Sequence, residues 1–193
     1  MKKRIISLTG DLAAGKSRVT DLLQKELGYS IYRNGERFRA LALEMGMSVT
    51  EFNKYVETHP EIDKKLESEA TKYAETNQDF IIDARMGWYS VPESFKVYLK
   101  VDRDVGAQRA FGDEKRKRTE NFNTVEEYKN DMIKRANLEV ERYFNLYGVR
   151  KDDMSNYDLV VDTTCLTIEE VKQTILDEYD KWLKEEQKDV KEK

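Results

Sequence analysis

The sequence predicts a three-layer α/β fold built on a five-stranded parallel sheet, and two patterns predict it. Five short apolar runs, at residues 4–8, 29–32, 80–83, 95–101 and 157–161, have the length and near-continuous hydrophobicity of strands covered on both faces. Longer segments between them carry apolar residues at helical offsets, the alternation that strand-helix-strand crossovers produce.

The first run leads into a loop at residues 10–17 and then a helix with Val19, Leu22, Leu23 and Leu27 on one face. About fifty residues of helical character separate the second and third runs, more than one crossover helix requires, so a helical insertion is expected at 35–77. His59 before Pro60 reads as a helix-breaking turn inside it. A second long segment follows the fourth run. It contains a stretch at 113–123 with almost no apolar residue, and a mobile lid is expected over 111–147. Capping-box pairs Ser48/Glu51, Thr124/Glu127 and Thr167/Glu170 mark three helix starts. The last helix aligns Ile168, Val171, Ile175, Tyr179 and Trp182, and the tail at 184–193 is charged throughout. Pro60 and Pro92 are the only prolines and no repeat is seen, so residues 1–193 read as one domain.

Hydrophobic residues make up 39% and charged residues 37%, which implies helices with strongly charged outer faces. A net charge of -4 argues against a nucleic-acid partner, which needs uncompensated Lys and Arg. One cysteine, Cys165, and one histidine, His59, exclude an internal disulfide and leave a zinc site without its usual ligands. No apolar run reaches signal or membrane length. A cytoplasmic protein with no membrane partner is expected, monomeric by default.

Residues 10–17, Gly10-Asp11-Leu12-Ala13-Ala14-Gly15-Lys16-Ser17, match G-x-x-x-x-G-K-[ST] between a strand and an amphipathic helix, the context this phosphate-binding loop requires. Its glycines turn amides inward and the helix N-terminus adds partial positive charge. Lys16 then reaches the β- and γ-phosphates of ATP, and the Ser17 hydroxyl ligates magnesium. Asp83 closes the third strand and Arg85 follows. Ligands of doubly wound sheets bind at the C-terminal strand ends, so Asp83 is expected to face the phosphates and Arg85 to bind one. Arg135, Glu139 and Arg142, at offsets 0, 4 and 7, share a helix face. They are either a solvated salt bridge or two arginines bracketing a transferred phosphoryl group. Arg39 and Arg109 are candidates by location alone. Trp88 and Tyr89 either stack on a base or pack. The basic run at 115–118 reads as a solvated lid rather than a nucleic-acid patch.

In this order the features resemble the cytidylate kinase-like family, especially its archaeal-type branch, over nearly the whole chain except the tail. Gly35-Glu36-Arg37-Phe38-Arg39, Met45-Gly46-Met47-Ser48, Glu51-Phe52-Asn53-Lys54-Tyr55 and Pro60-Glu61-Ile62-Asp63 look like its monophosphate-binding insertion. Arg142-Tyr143, Tyr147-Gly148 and the stretch from Asp153 through Asp162 look like its lid exit and final strand. The resemblance implies magnesium-assisted transfer of the ATP γ-phosphate to CMP or dCMP. It places Arg39 on the acceptor phosphate and Asp83 and Arg85 on an Asp-Gly-Arg motif. Arg135, Glu139 and Arg142 fall on a lid pattern whose arginines hold phosphates and whose acid meets the acceptor ribose. Residues 10–17, with Arg18 and Arg109, are expected to bind ATP, and the resemblance puts Thr163 and Thr164 near the adenine. Ala84, Arg18, and Arg33 with Asn34 depart from the pattern where substrate choice is made. A kinase for another small acceptor, or a nucleotide-binding regulator, is the alternative.

Overall fold

The computed structural model describes residues 4–47, 49–113 and 122–189. Five parallel strands, β1 (Ile5–Gly10), β2 (Ser30–Arg33), β3 (Phe80–Asp83), β4 (Phe95–Lys100) and β5 (Leu159–Asp162), form one sheet in the order β2-β3-β1-β4-β5. Each lies within two residues of its expected start. Helices α1 (Lys16–Leu27), α2 (Asn34–Glu44), α3 (Val49–Glu57), α4 (Pro60–Thr76), α5 (Gly87–Ser90), α6 (Arg103–Phe111), α7 (Val125–Tyr147) and α8 (Ile168–Asp189) complete the described chain.

Strand alternation divides β1 between two cores. Ile6 and Leu8 join Val19, Leu23, Val97, Leu99, Val171, Ile175 and Tyr179 beneath α1 and α8, whereas Ile5 joins Phe80, Ile82, Ala70 and Ala74 beneath α4. Both sheet faces are therefore covered, and each fully buried large aliphatic side chain contributes about 2 kcal/mol. The insertion at 35–77 has a core of its own in Phe38, Ala42, Phe52, Val56 and Leu66. That separate packing lets α2, α3 and α4 stand beside the sheet as a unit.

The caps act as their residue types dictate. Thr167 and Glu170 exchange amides reciprocally, at 2.7 and 3.2 Å. At α7 the Thr124 hydroxyl accepts from the Glu127 amide at 3.1 Å, while the Glu127 carboxylate takes the Asn123 amide at 2.9 Å, one residue earlier than a closed box. Ser48, most of the 113–123 stretch, the 115–118 run and residues 190–193 lie outside the described residues. Among the described residues no helix is long and apolar enough to cross a membrane.

Candidate functional site

At the C-terminal end of β1 the chain turns into the phosphate-binding loop. A Cβ on Gly10 would lie 2.5 Å from the Leu99 carbonyl oxygen, so only glycine lets the loop pass β4. The Asp11 amide donates to that carbonyl at 2.8 Å. Its carboxylate accepts from the Tyr98 hydroxyl at 2.6 Å and the Val101 amide at 3.0 Å. Asp11 thus anchors the loop to β4 with both its amide and its side chain. Ala13 and Gly15 have φ of 67° and 84°. For alanine this left-handed conformation costs about 1 kcal/mol, held by the surrounding loop. Helix α1 begins at Lys16 with no acid in its first turn and no side-chain cap, so its leading amides can face an anion. Ser17 and Arg18 are exposed there.

The register of β1, β3 and β2 sets Asp83 between Leu8 and Arg33. The Thr9 hydroxyl donates to the Ala84 carbonyl at 3.0 Å, binding the turn after β3 to the end of β1. These constraints bring the buried Asp83 carboxylate onto the Lys16 ammonium. The two expected residues, 67 positions apart, therefore meet.

Next to them lies an ionic cluster assembled from four segments. Arg85 Nη2 contacts Glu139 Oε1 at 2.8 Å, Lys151 Nζ donates to Glu139 Oε2 at 2.6 Å, and Arg142 Nε lies 3.1 Å from Asp63 Oδ2. Three cations face two carboxylates. Burial opposes charge on Glu139, but Arg85, Lys151 and Arg142 together draw its carboxyl down to about 2. Asp63 has no such surplus: burial raises its pKa, partly offset by Arg142 and Arg85. Arg142 Nη2 is buried with no hydrogen-bond partner among the described residues, leaving a donor for which a ligand could provide an acceptor.

Beside the cluster, polar side chains of α2, α4 and α5 meet one another. Glu67 accepts from the Ser90 hydroxyl and, at 3.3 Å, from Asn34 Nδ2. Burial pushes its carboxyl up to about 7, and Asp63 adds to this against the two hydrogen bonds. Asn34 Oδ1 and the Tyr147 hydroxyl are buried without hydrogen-bond partners among the described residues.

Other expected residues are placed apart. Arg109 Nη2 donates to the carbonyls of Thr163 and Thr164, both at 3.0 Å, fastening α6 to the loop after β5. Arg39 is exposed on α2, outside the ionic cluster. Arg135 is half-buried and lies 3.6 Å from Asp131, one turn earlier on the same helix. Trp88 is buried against Tyr157, its ring centroid 5.7 Å away, so it packs; Tyr89 stays partly exposed.

Asp63, Glu67 and Lys151 were not singled out from the sequence as site residues. For two of them a signal existed. Asp63 and Glu67 fall on the buried stripe of α4 with Leu66, Ala70 and Ala74, and acids on an apolar stripe need partners. Lys151, in a loop of a highly charged chain, carried none.

Comparison with known proteins gives the family and the fold. The family profile described as AAA domain matches residues 6–132. The chain is 36% identical over 186 residues to the cytidylate kinase of Thermoplasma volcanium, covering 94% of both chains. It is 32% identical to that of Thermoplasma acidophilum, covering 91% of this chain and 92% of the relative. The chain belongs to the cytidylate kinase family. It is a nucleotide kinase. Its fold is shared with shikimate kinase from Bacteroides thetaiotaomicron, at TM-score 0.63 and 14% identity over 90% of the kinase and 97% of that chain. Shikimate kinase from Aquifex aeolicus aligns at TM-score 0.55 and 23% identity, over 91% and 96%.

Proposed function

We propose that the kinase transfers the γ-phosphoryl group of ATP to CMP or dCMP. The observation that carries this reading is the run of charged contacts from Lys16 to Asp83, and from Arg85 through Glu139 toward Arg142 and Asp63. It sets a donor-phosphate loop and a cation-rich cluster at the C-terminal side of the sheet. An acceptor phosphate oxygen attacks the γ-phosphorus, the bond to the β,γ-bridging oxygen breaks, and ADP leaves. The acceptor is already anionic, so no general base is required, and catalysis rests on positioning and charge.

Loop amides and Lys16 hold the donor phosphates, while Arg18, Arg109 and the Thr163–Thr164 loop line the nucleoside side. Arg85 and Arg142, with Arg39 from the insertion, receive the acceptor phosphate. Arg135 bears on the transferred phosphoryl group, and Glu139 meets the acceptor ribose. The unpaired Asn34 Oδ1 and Tyr147 hydroxyl, beside Glu67, offer hydrogen bonds to the base. The exposed Ser17 hydroxyl in the first turn of α1, with Asp83 close to Lys16, suits magnesium and its bound water. An ion held there would supply charge neutralisation for the transferring phosphoryl group. Closure of the segment over 111–147 completes the site, and the cytoplasm, where ATP is abundant, is its compartment.

The test is ADP release from ATP and magnesium with CMP, dCMP, UMP, dTMP, AMP and GMP, against Lys16→Ala as the blank. CMP or dCMP is expected to stand well above the rest. Equal stimulation by purine monophosphates, or stimulation by none, would overturn the assignment.

A further inference from the structure

The Lys151–Glu139 contact is unused by the reaction as written. Gly148, at φ 69°, ends α7 and turns the chain back so that Lys151 lies beside a glutamate twelve residues earlier. Its backbone is pinned: the Tyr157 hydroxyl donates to the Lys151 carbonyl at 2.8 Å, and Asn156 Nδ2 donates to the Arg150 carbonyl at 2.9 Å. The Lys151 and Glu139 side chains are only 9% and 8% exposed, so the pair is cut off from solvent, whereas Arg85 is 32% exposed. Glu139 therefore has one fixed, enclosed cation on Oε2 and one more accessible cation on Oε1.

We infer that Lys151 is the resident counter-ion of Glu139, a positioning residue that allows Arg85 to exchange its carboxylate partner for the acceptor's phosphate. The inference rests on the proposed role of Arg85. A buried carboxylate stripped of its cation is strongly unfavourable. Were Arg85 the sole partner of Glu139, its movement to phosphate would leave that charge uncompensated, and the lost ion pair would be subtracted from acceptor binding. Lys151 removes the penalty because its own contact survives the exchange. The three-to-two excess of cations over carboxylates fits this division, since one positive charge is left over for an incoming anion.

The experiment is a double-mutant cycle on the full chain, reading CMP affinity by calorimetry and KM for CMP and ATP by ADP release. Lys151→Met is expected to weaken CMP about tenfold in the native background and less than about threefold in a Glu139→Gln background, where there is no carboxylate to neutralise. KM for ATP should stay within about twofold, and Lys151→Arg should retain CMP affinity, because each keeps the charge logic intact. Equal losses in both backgrounds, or a parallel rise in KM for ATP, would show that Lys151 acts directly or as a structural tie, and the inference fails. If Lys151→Met alone does not fold, the comparison of Glu139→Gln with the double variant still decides. Arg85→Met separates the two readings. CMP binding unchanged by that variant sinks the assignment of Arg85 itself, whereas a loss with Arg85→Met and none with Lys151→Met sinks only the role of Lys151.

Discussion

The donor and acceptor halves of the site are built on opposite principles. The donor half is eight consecutive residues, Gly10 to Ser17, shaped by left-handed backbone at Ala13 and Gly15 and anchored by Asp11 to Tyr98 and Val101. Its binding groups are mainly amides, which have no charge to balance. The acceptor half is Asp63, Arg85, Glu139, Arg142 and Lys151, brought from α4, the turn after β3, α7 and the loop beyond it. Each group there is stable only because another opposes it. A backbone site tolerates loss of one side chain structurally but loses function; a charge-compensated site loses both.

Substitutions can break that contrast. The largest effect on activity is expected from Lys16→Ala, which should lower turnover by roughly 10³-fold and also lower the urea midpoint, because Lys16 is the cation beside the buried Asp83. Ser17→Ala, at an exposed hydroxyl of the loop, should lower turnover with the urea midpoint nearly unchanged, and a large loss of stability there would contradict the backbone account. Arg142→Met removes the cation 3.1 Å from the buried Asp63, and should cost about 3 kcal/mol in urea unfolding as well as turnover. Full stability in that variant would show that the acceptor half does not rest on compensation.

Acid and alkali sharpen the same point, because Glu67 and Glu139 are shifted in opposite directions from the ordinary 4.5. The Glu67 carboxyl stays protonated to about 7 in the folded chain, so the unfolded chain releases that proton first and stability falls as pH rises from 4.5 through 7. Glu67→Gln should therefore gain stability above pH 7 relative to the native chain, by about 3 kcal/mol at most. Glu139 contributes stability that is full above 4.5 and lost as pH falls toward 2. Glu139→Gln should flatten the acid limb, and unfolding curves from pH 3 to pH 9 check both slopes. The smallest effect is expected outside both halves: Thr167→Ala opens the α8 capping box, costing about 1 kcal/mol with kcat unchanged.

The donor half was legible because its physics is local. Residues 10–17 specify a loop by spacing alone, and Asp83 and Arg85 follow from the rule that strand ends face the ligand. The acceptor half was legible only in part. Glu139 and Arg142 were marked by their helical spacing and fall in the ionic cluster, while Arg135, marked by the same spacing, lies beside Asp131. Asp63 and Glu67 were hidden among the many acids of α4, where only their place on the apolar stripe marked them. Trp88, a candidate for base stacking, proved to be packing.

By itself the sequence determined the strands, the capped helix starts, the phosphate-binding loop and the kind of chemistry that loop performs, because each depends on neighbours a few residues away. Only the tertiary structure decided that Lys16 rests on Asp83, Arg85 on Glu139, Arg142 on Asp63, and that Lys151 is enclosed beside Glu139. The physical reason is that 37% of the residues are charged. Any carboxylate then has many conceivable cations, and the choice among them is made by burial, which raises the cost of a wrong pairing from almost nothing in water to several kcal/mol in the core.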